Sequence, residues 1–359
     1  MKINPFYRSL AGLLGMLVVS SLAQPIAKAD VLSWGGGSLT NAFWSEPSNW
    51  TNSVLANATP ANGDDLIFLD NTLQTVSSNN LSGLAIQSLT LAADGFTIFG
   101  SGMSLTNGLT NSAGANTLIA GLTLGATQTF AAVSGTTLTI GPGGSVGTAG
   151  FPLSLADAGD FNLFGVVSGA GKLTKDGAGN LLVTNRQSLT GGIVINQGTM
   201  TVTTPGNLNF GGALTPSLIT VNPGGKIYGT TVHAIGGGTS IYLNGGTWDL
   251  DGEDYKQNIT MIDGLIEPGP NPNSSGGQLR VGSAGGGGNF TWYITNSVAG
   301  SVINTPLSTI GSTVNLTLDV ARGAAASDLT INGVILSVGN ITLTFPIWFN
   351  AHDRGGLFL

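Results

Sequence analysis

The sequence predicts an all-β chain wound as a right-handed parallel β-helix, or β-solenoid, with an aromatic N-terminal cap. Three observations point there. Short alternating segments of three to six residues recur along the chain, closed by Gly, Asn or Asp, with little helical periodicity between them. Only 8% of the residues are charged, against ~25% in an ordinary soluble domain, so Thr, Ser, Asn and Gly must make the surface polar. There is no cysteine; an exported protein of this size would then depend on a long core and a continuous backbone hydrogen-bond ladder.

Export is read from residues 1–29. Lys2 and Arg8 form a positive start, Leu10 to Leu22 is apolar and uncharged, and Ala27-Lys28-Ala29 offers small residues for a cut before Asp30. A second possible cut follows Ser21-Leu22-Ala23. The apolar stretch is short of the ~18–20 residues that span a bilayer. A cleaved signal, a secreted or cell-surface location and no transmembrane segment after cleavage are therefore the expectation. Without Cys there is no lipid anchor. The signal holds three of the eleven basic residues and none of the eighteen acidic ones, which leaves the remainder at −10. That balance argues against nucleic acid and anionic lipid as partners.

The alternating segments include Ser88-Leu89-Thr90-Leu91, Gly121-Leu122-Thr123-Leu124, Thr137-Leu138-Thr139-Ile140, Ile193-Val194-Ile195 and Ile241-Tyr242-Leu243. Apolar residues at every second position give one inward face, and the Thr or Ser between them face outward. Turn chemistry separates the segments, as in Asn107-Gly108, Asn222-Pro223-Gly224-Gly225 and Asn244-Gly245-Gly246. A β-sandwich and a β-solenoid both fit many short strands. Spacings near 15 to 25 residues favour coils that add one strand to each of several parallel sheets. On this reading residues 30–70 are the cap, 71–344 the solenoid and 345–359 an atypical tail. Trp34, Trp44 and Trp50 fall together in the cap, where large rings cover the open end of a stack. Their alternative role is an aromatic platform for a sugar ligand.

The most specific element is 165–202, GVVSGAGKLTKDGAGNLLVTNRQSLTGGIVINQGTMTV. Gly169-Ala170-Gly171 leads into Leu173-Thr174-Lys175, then Asp176-Gly177-Ala178-Gly179 and Asn180-Leu181-Leu182-Val183-Thr184. Thr190-Gly191-Gly192, Ile193-Val194-Ile195 and Asn196-Gln197-Gly198-Thr199-Met200 complete it. In residue type and spacing this unit resembles the autotransporter-associated β-strand repeat. The Trp-rich start and Asn62-Gly63-Asp64-Asp65-Leu66-Ile67-Phe68 resemble the start of large exported proteins of that kind. The resemblance implies a passenger-like β-helix at or outside the cell surface, without the C-terminal membrane barrel. Lys175 beside Asp176 is expected to be a solvated corner pair of little weight.

Catalytic and cofactor sites are not expected. Asp64-Asp65 and Glu253-Asp254 are the adjacent acidic pairs, and glycoside hydrolysis needs two carboxylates flanking a groove. The two histidines, His233 and His352, stand in no recognisable motif. Gly285-Gly286-Gly287-Gly288 has no Lys-Ser/Thr after it and reads as a turn, not a phosphate loop. Asp249, Asp251 and Glu253 resemble part of a calcium loop but lack its spaced ligands; a solvated acidic turn is the alternative. Asn49-Trp50-Thr51 matches a glycosylation pattern that is expected to be accidental.

Near the C-terminus, Ser327 to Ile335 parallels Asp160 to Val167 and so begins a second repeat. That pattern stops after Ile341-Thr342-Leu343-Thr344, where Phe345-Pro346-Ile347-Trp348-Phe349 takes over. A truncated or frameshifted reading frame near 340–345 is one expectation; a C-terminal cap built on Trp348 and Phe349 is the other. The functional expectation is an exported structural or adhesive surface protein contacting polysaccharide or other cell-surface material. A polysaccharide lyase or glycosidase on the same scaffold is the alternative.

Overall fold

The computed structural model describes residues 29–344, except 39, 53–56, 71–72, 204–217, 257, 273–276, 283–286, 296–297, 310 and 337–338. The stretch up to residue 28, which carries nearly all of the expected signal, and the expected tail 345–359 lie outside the described residues. The described chain is a β-solenoid of stacked coils. One fifteen-stranded sheet runs its whole length, and a twelve-stranded sheet forms a second wall. The third wall changes along the axis. A six-stranded sheet runs from Ala85–Ile86 to Ser188–Leu189, and a four-stranded sheet from Asp254–Lys256 to Ile335–Leu336. Between them that wall is built from connecting segments, including 230–239.

The coil follows from the alternation. In the twelve-stranded wall, Leu138, Phe161, Leu181, Met200, Ile227, Trp248, Ile266 and Ile303 are in register on successive strands. All are buried, each worth ~1.5–3 kcal/mol of transfer free energy. A shift by one residue would turn this row to solvent, so the pattern specifies the register. Among the described pairings all are parallel except Val31–Trp34 with Trp50–Thr51. This antiparallel pair lies at the N-terminal edge of the long sheet.

That edge is the aromatic cap. Trp34, Trp44, Trp50 and Phe68 are completely buried. The Trp34 and Trp50 rings meet edge to face at 5.0 Å, and those of Trp44 and Trp50 at 5.5 Å. Each indole N–H has an acceptor: Trp34 donates to the Gln74 carbonyl (2.8 Å), Trp44 to Ser77 Oγ (3.2 Å) and Trp50 to the Trp44 carbonyl (3.1 Å). No face of the three rings is left for a sugar, so the platform reading is corrected: they seal the stack. Asn49 is buried too, its amide donating to the Asn41 and Phe43 carbonyls (3.2 and 3.0 Å).

Polar side chains form ladders from coil to coil, within strands and at the corners beside them. Ser154 and Asn196 both donate to Asp176 at 2.5 Å, Asn222 donates to Asn196 (2.6 Å) and Asn244 to Asn222 (2.9 Å). A second amide ladder joins Asn289, Asn315 and Asn340 (2.7 and 2.9 Å). Gly177 marks the tightest corner. A Cβ there would overlap the Asp157 carbonyl of the preceding coil.

Lys175 corrects a second expectation. It is aligned with Leu155 and Ile195 on the inward side of the long sheet and is completely buried. Its ammonium donates to the Gly177 carbonyl. Burial lowers its pKa from 10.5 to about 8, against the opposing pull of Asp160 and Asp176. Strand alternation places every second residue inside, and in Leu173-Thr174-Lys175 it is Thr174 that faces out.

Candidate functional site

The charged residues gather where the third wall is interrupted. Strands Gly225–Gly229, Thr247–Leu250 and Leu265–Pro268 are neighbours in the twelve-stranded sheet. Ile227, Trp248 and Ile266 point inward, so the next residue of each strand points out. Tyr228, Asp249 and Glu267 therefore stand in one outward row. Earlier coils fill that row with Thr97, Thr117, Thr139, Asn162, Leu182 and Thr201.

Lys226 reaches along the row, its ammonium 2.6 Å from Asp249 Oδ2 and 3.9 Å from Glu267 Oε1. Asp249 is buried, and its Oδ1 has no hydrogen-bond partner. Glu267 is held above its usual pKa, first by burial, then by the Asp249 charge, with Lys226 opposing both. Tyr228 donates its hydroxyl to Asp251 Oδ2, and Asp251 Oδ1 accepts from the Asn271 backbone N–H at 2.9 Å. Burial and the bond to Asp251 push the phenol up to about 12. Gly269 lets the chain pass this close, because a Cβ there would strike Asp251 and lie 2.9 Å from the Tyr228 ring.

A second group adjoins the first. Glu253 pairs with Arg280 at 3.1 Å and stands 3.9 Å from His233 Nε2. His233 sits at φ +53°, and its backbone N–H donates to the Glu253 carbonyl (2.8 Å). Left-handed backbone at a non-glycine residue is uncommon. Here the turn 230–233 crosses directly over Gly252, where a Cβ would meet Val232 N at 2.5 Å.

The three calcium candidates are thus corrected in both setting and role. Asp249 belongs to a strand, and it and Asp251 are buried, so the segment is not a solvated acidic turn. Asp249 engages Lys226, Asp251 engages Tyr228 and Asn271, and Glu253 engages Arg280. Among the described residues no group of three metal-ligating side chains forms. The sequence pattern does not mark Lys226, Tyr228, Glu267 or Arg280, and it sets His233 aside because that residue stands in no motif. The available signal was the coil period of roughly twenty residues, which separates Tyr228, Asp249 and Glu267 in the chain. Gly287 and Gly288, expected in a turn, open the strand Gly287–Ile294.

Chemically, the row sets two carboxyls, one of them the Glu267 carboxyl held above its usual pKa, beside one ammonium and one phenol. Such an arrangement suits acid–base chemistry or polar recognition. Comparison with protein families, curated proteins and solved structures finds no match to this chain. No described helix is long and apolar enough to cross a membrane.

Proposed function

We propose that the chain is an exported structural or adhesive protein whose solenoid contacts polysaccharide or other cell-surface material by repeated weak bonds. One observation carries this reading: along the long sheet an outward row is uncharged, mostly hydroxyl-bearing and in register over six consecutive strands. On the long sheet Thr129, Ser154, Thr174, Val194, Thr220 and Tyr242 align on consecutive strands. At ~4.8 Å per coil these groups form a regular array that a polymer can meet many times, so affinity comes from multivalency. The resemblance of 165–202 to the autotransporter-associated β-strand repeat supports export and display. Glycan-array and whole-cell binding by the chain without residues 1–29 tests it. Binding that strengthens with polymer length is the expected result, and indifference to every surface and glycan refutes it.

A second reading, a polysaccharide-active enzyme, is favoured by one specific observation. The Lys226 ammonium lies within 4 Å of two carboxyls, those of Asp249 and Glu267. Release of reducing or unsaturated ends from a polymer panel, abolished in Glu267→Gln, would replace the adhesive reading with this one.

A further inference from the structure

We propose that Asp249 and Glu267 share one proton across the boundary between their coils, making this junction a proton-binding site that tightens in acid and loosens as the proton leaves. The two residues are direct partners on adjacent parallel strands, whose backbones lie ~4.8 Å apart. Two ionised carboxylates so placed repel each other, and one takes up a proton.

The surrounding groups decide which one. Lys226 is the cation in contact, and at 2.6 Å it belongs to Asp249, with Glu267 at 3.9 Å. One ammonium compensates one carboxylate and it lies against Asp249, so Glu267 is the carboxyl left to take up the proton. On the side of Asp249, Tyr228 and Asp251 are occupied with each other, and Asp251 accepts from the Asn271 backbone N–H as well. On the far side the next coil offers Ile303 in register with Ile266, followed by the uncharged Asn304. Among the described residues of that coil, neither of these neutralises Glu267.

An independent observation points to the same proton. Asp249 is 5% exposed, yet its Oδ1 is buried without a donor. A buried carboxylate oxygen left without a donor is destabilising, because it has lost its water and gained no hydrogen bond. Glu267 lies within side-chain hydrogen-bonding reach of Asp249. Once protonated, it supplies the missing donor and removes the repulsion together. Because the folded state holds this proton more tightly than the unfolded chain, its stabilisation is full below the ordinary glutamate pKa and fades as pH rises through the elevated one.

Infrared titration of the whole chain, wild type against Glu267→Gln, tests the proposal. A carboxylic-acid C=O band should persist in wild type above about pH 4.3, where free glutamate ionises, and be missing from the variant. Hydrogen exchange gives a second readout at two amides that join the coils. Leu265 N–H donates to the Gly246 carbonyl (3.0 Å), and Gly269 N–H to the Leu250 carbonyl (2.7 Å). After correction for intrinsic rates, wild type should lose protection at both as pH rises above the ordinary glutamate value of about 4.3. Glu267→Gln, which carries a permanent amide donor, should hold it. If the variant folds poorly, the wild-type band decides alone. Absence of that band in wild type, or an equal loss of protection in a folded Glu267→Gln, overturns the proposal.

Discussion

Replacing Lys175 by methionine should make the protein more stable, although it deletes a charged hydrogen bond. The ammonium lies inside the solenoid between Leu155 and Ile195, with no exposed surface. Its pKa falls from 10.5 to about 8, which at ~1.4 kcal/mol per unit corresponds to about 3 kcal/mol spent on keeping the charge buried at neutral pH. Methionine has nearly the same length, fills irregular gaps and carries no charge. Against the gain, the Gly177 carbonyl loses its donor, a loss of about 1 kcal/mol. The net expectation is a gain of about 2 kcal/mol at pH 7, read from urea midpoints. The pH dependence is the sharper test. A depressed lysine pKa means that the folded state binds fewer protons than the unfolded one between about 8 and 10.5. Stability of the wild type should therefore rise with pH through that window, and the rise should vanish in Lys175→Met. Tyr228, raised to about 12, acts with the opposite sign, but only above its ordinary value near 10. Equal pH slopes for the two proteins between pH ~8 and ~10 would refute the reasoning, as would a variant less stable than wild type at pH 7.

Three further perturbations separate the parts of the fold. Trp44→Ala should cost about 3–5 kcal/mol, because a fully buried ring sealing the N-terminal end is removed; denaturant midpoints check this, and glycan binding should not change. Gly177→Ala should destabilise by about 1–3 kcal/mol or more, since its Cβ overlaps the Asp157 carbonyl, whereas Gly238→Ala meets nothing within 4 Å and should be near neutral. Asn222→Ala interrupts an amide ladder by removing two side-chain bonds, to Asn196 and from Asn244, and should cost about 1–2 kcal/mol, visible as faster hydrogen exchange in the flanking strands.

The fold was legible because strand alternation and glycine or asparagine corners are local properties. Thr137-Leu138-Thr139-Ile140 states its own inward and outward faces, and the same pattern on the next coil gives its partner. The Trp cluster was legible as a cap for the same reason: three large rings at one end of a repetitive chain need a place to be buried. Lys175 shows where locality misleads. Its neighbour Asp176 suggests a surface pair, but the parity of the strand, set by Leu173, turns the lysine inward.

The site was the least legible part. Tyr228, Asp249 and Glu267 belong to three different coils, and each looks ordinary within its own segment. The residues 249–254 drew notice as an acidic run, yet Asp249 and Asp251 end up with separate partners from neighbouring coils. What the sequence determined was the coil: its alternation, its corners and its sealed end, since these depend on residues close together in the chain. What only the tertiary structure decided was coil-to-coil register, and with it which side chains meet. Lys226 faces both Asp249 and Glu267 because parallel stacking brings residues roughly twenty apart to within a few ångströms, a distance that no local pattern encodes.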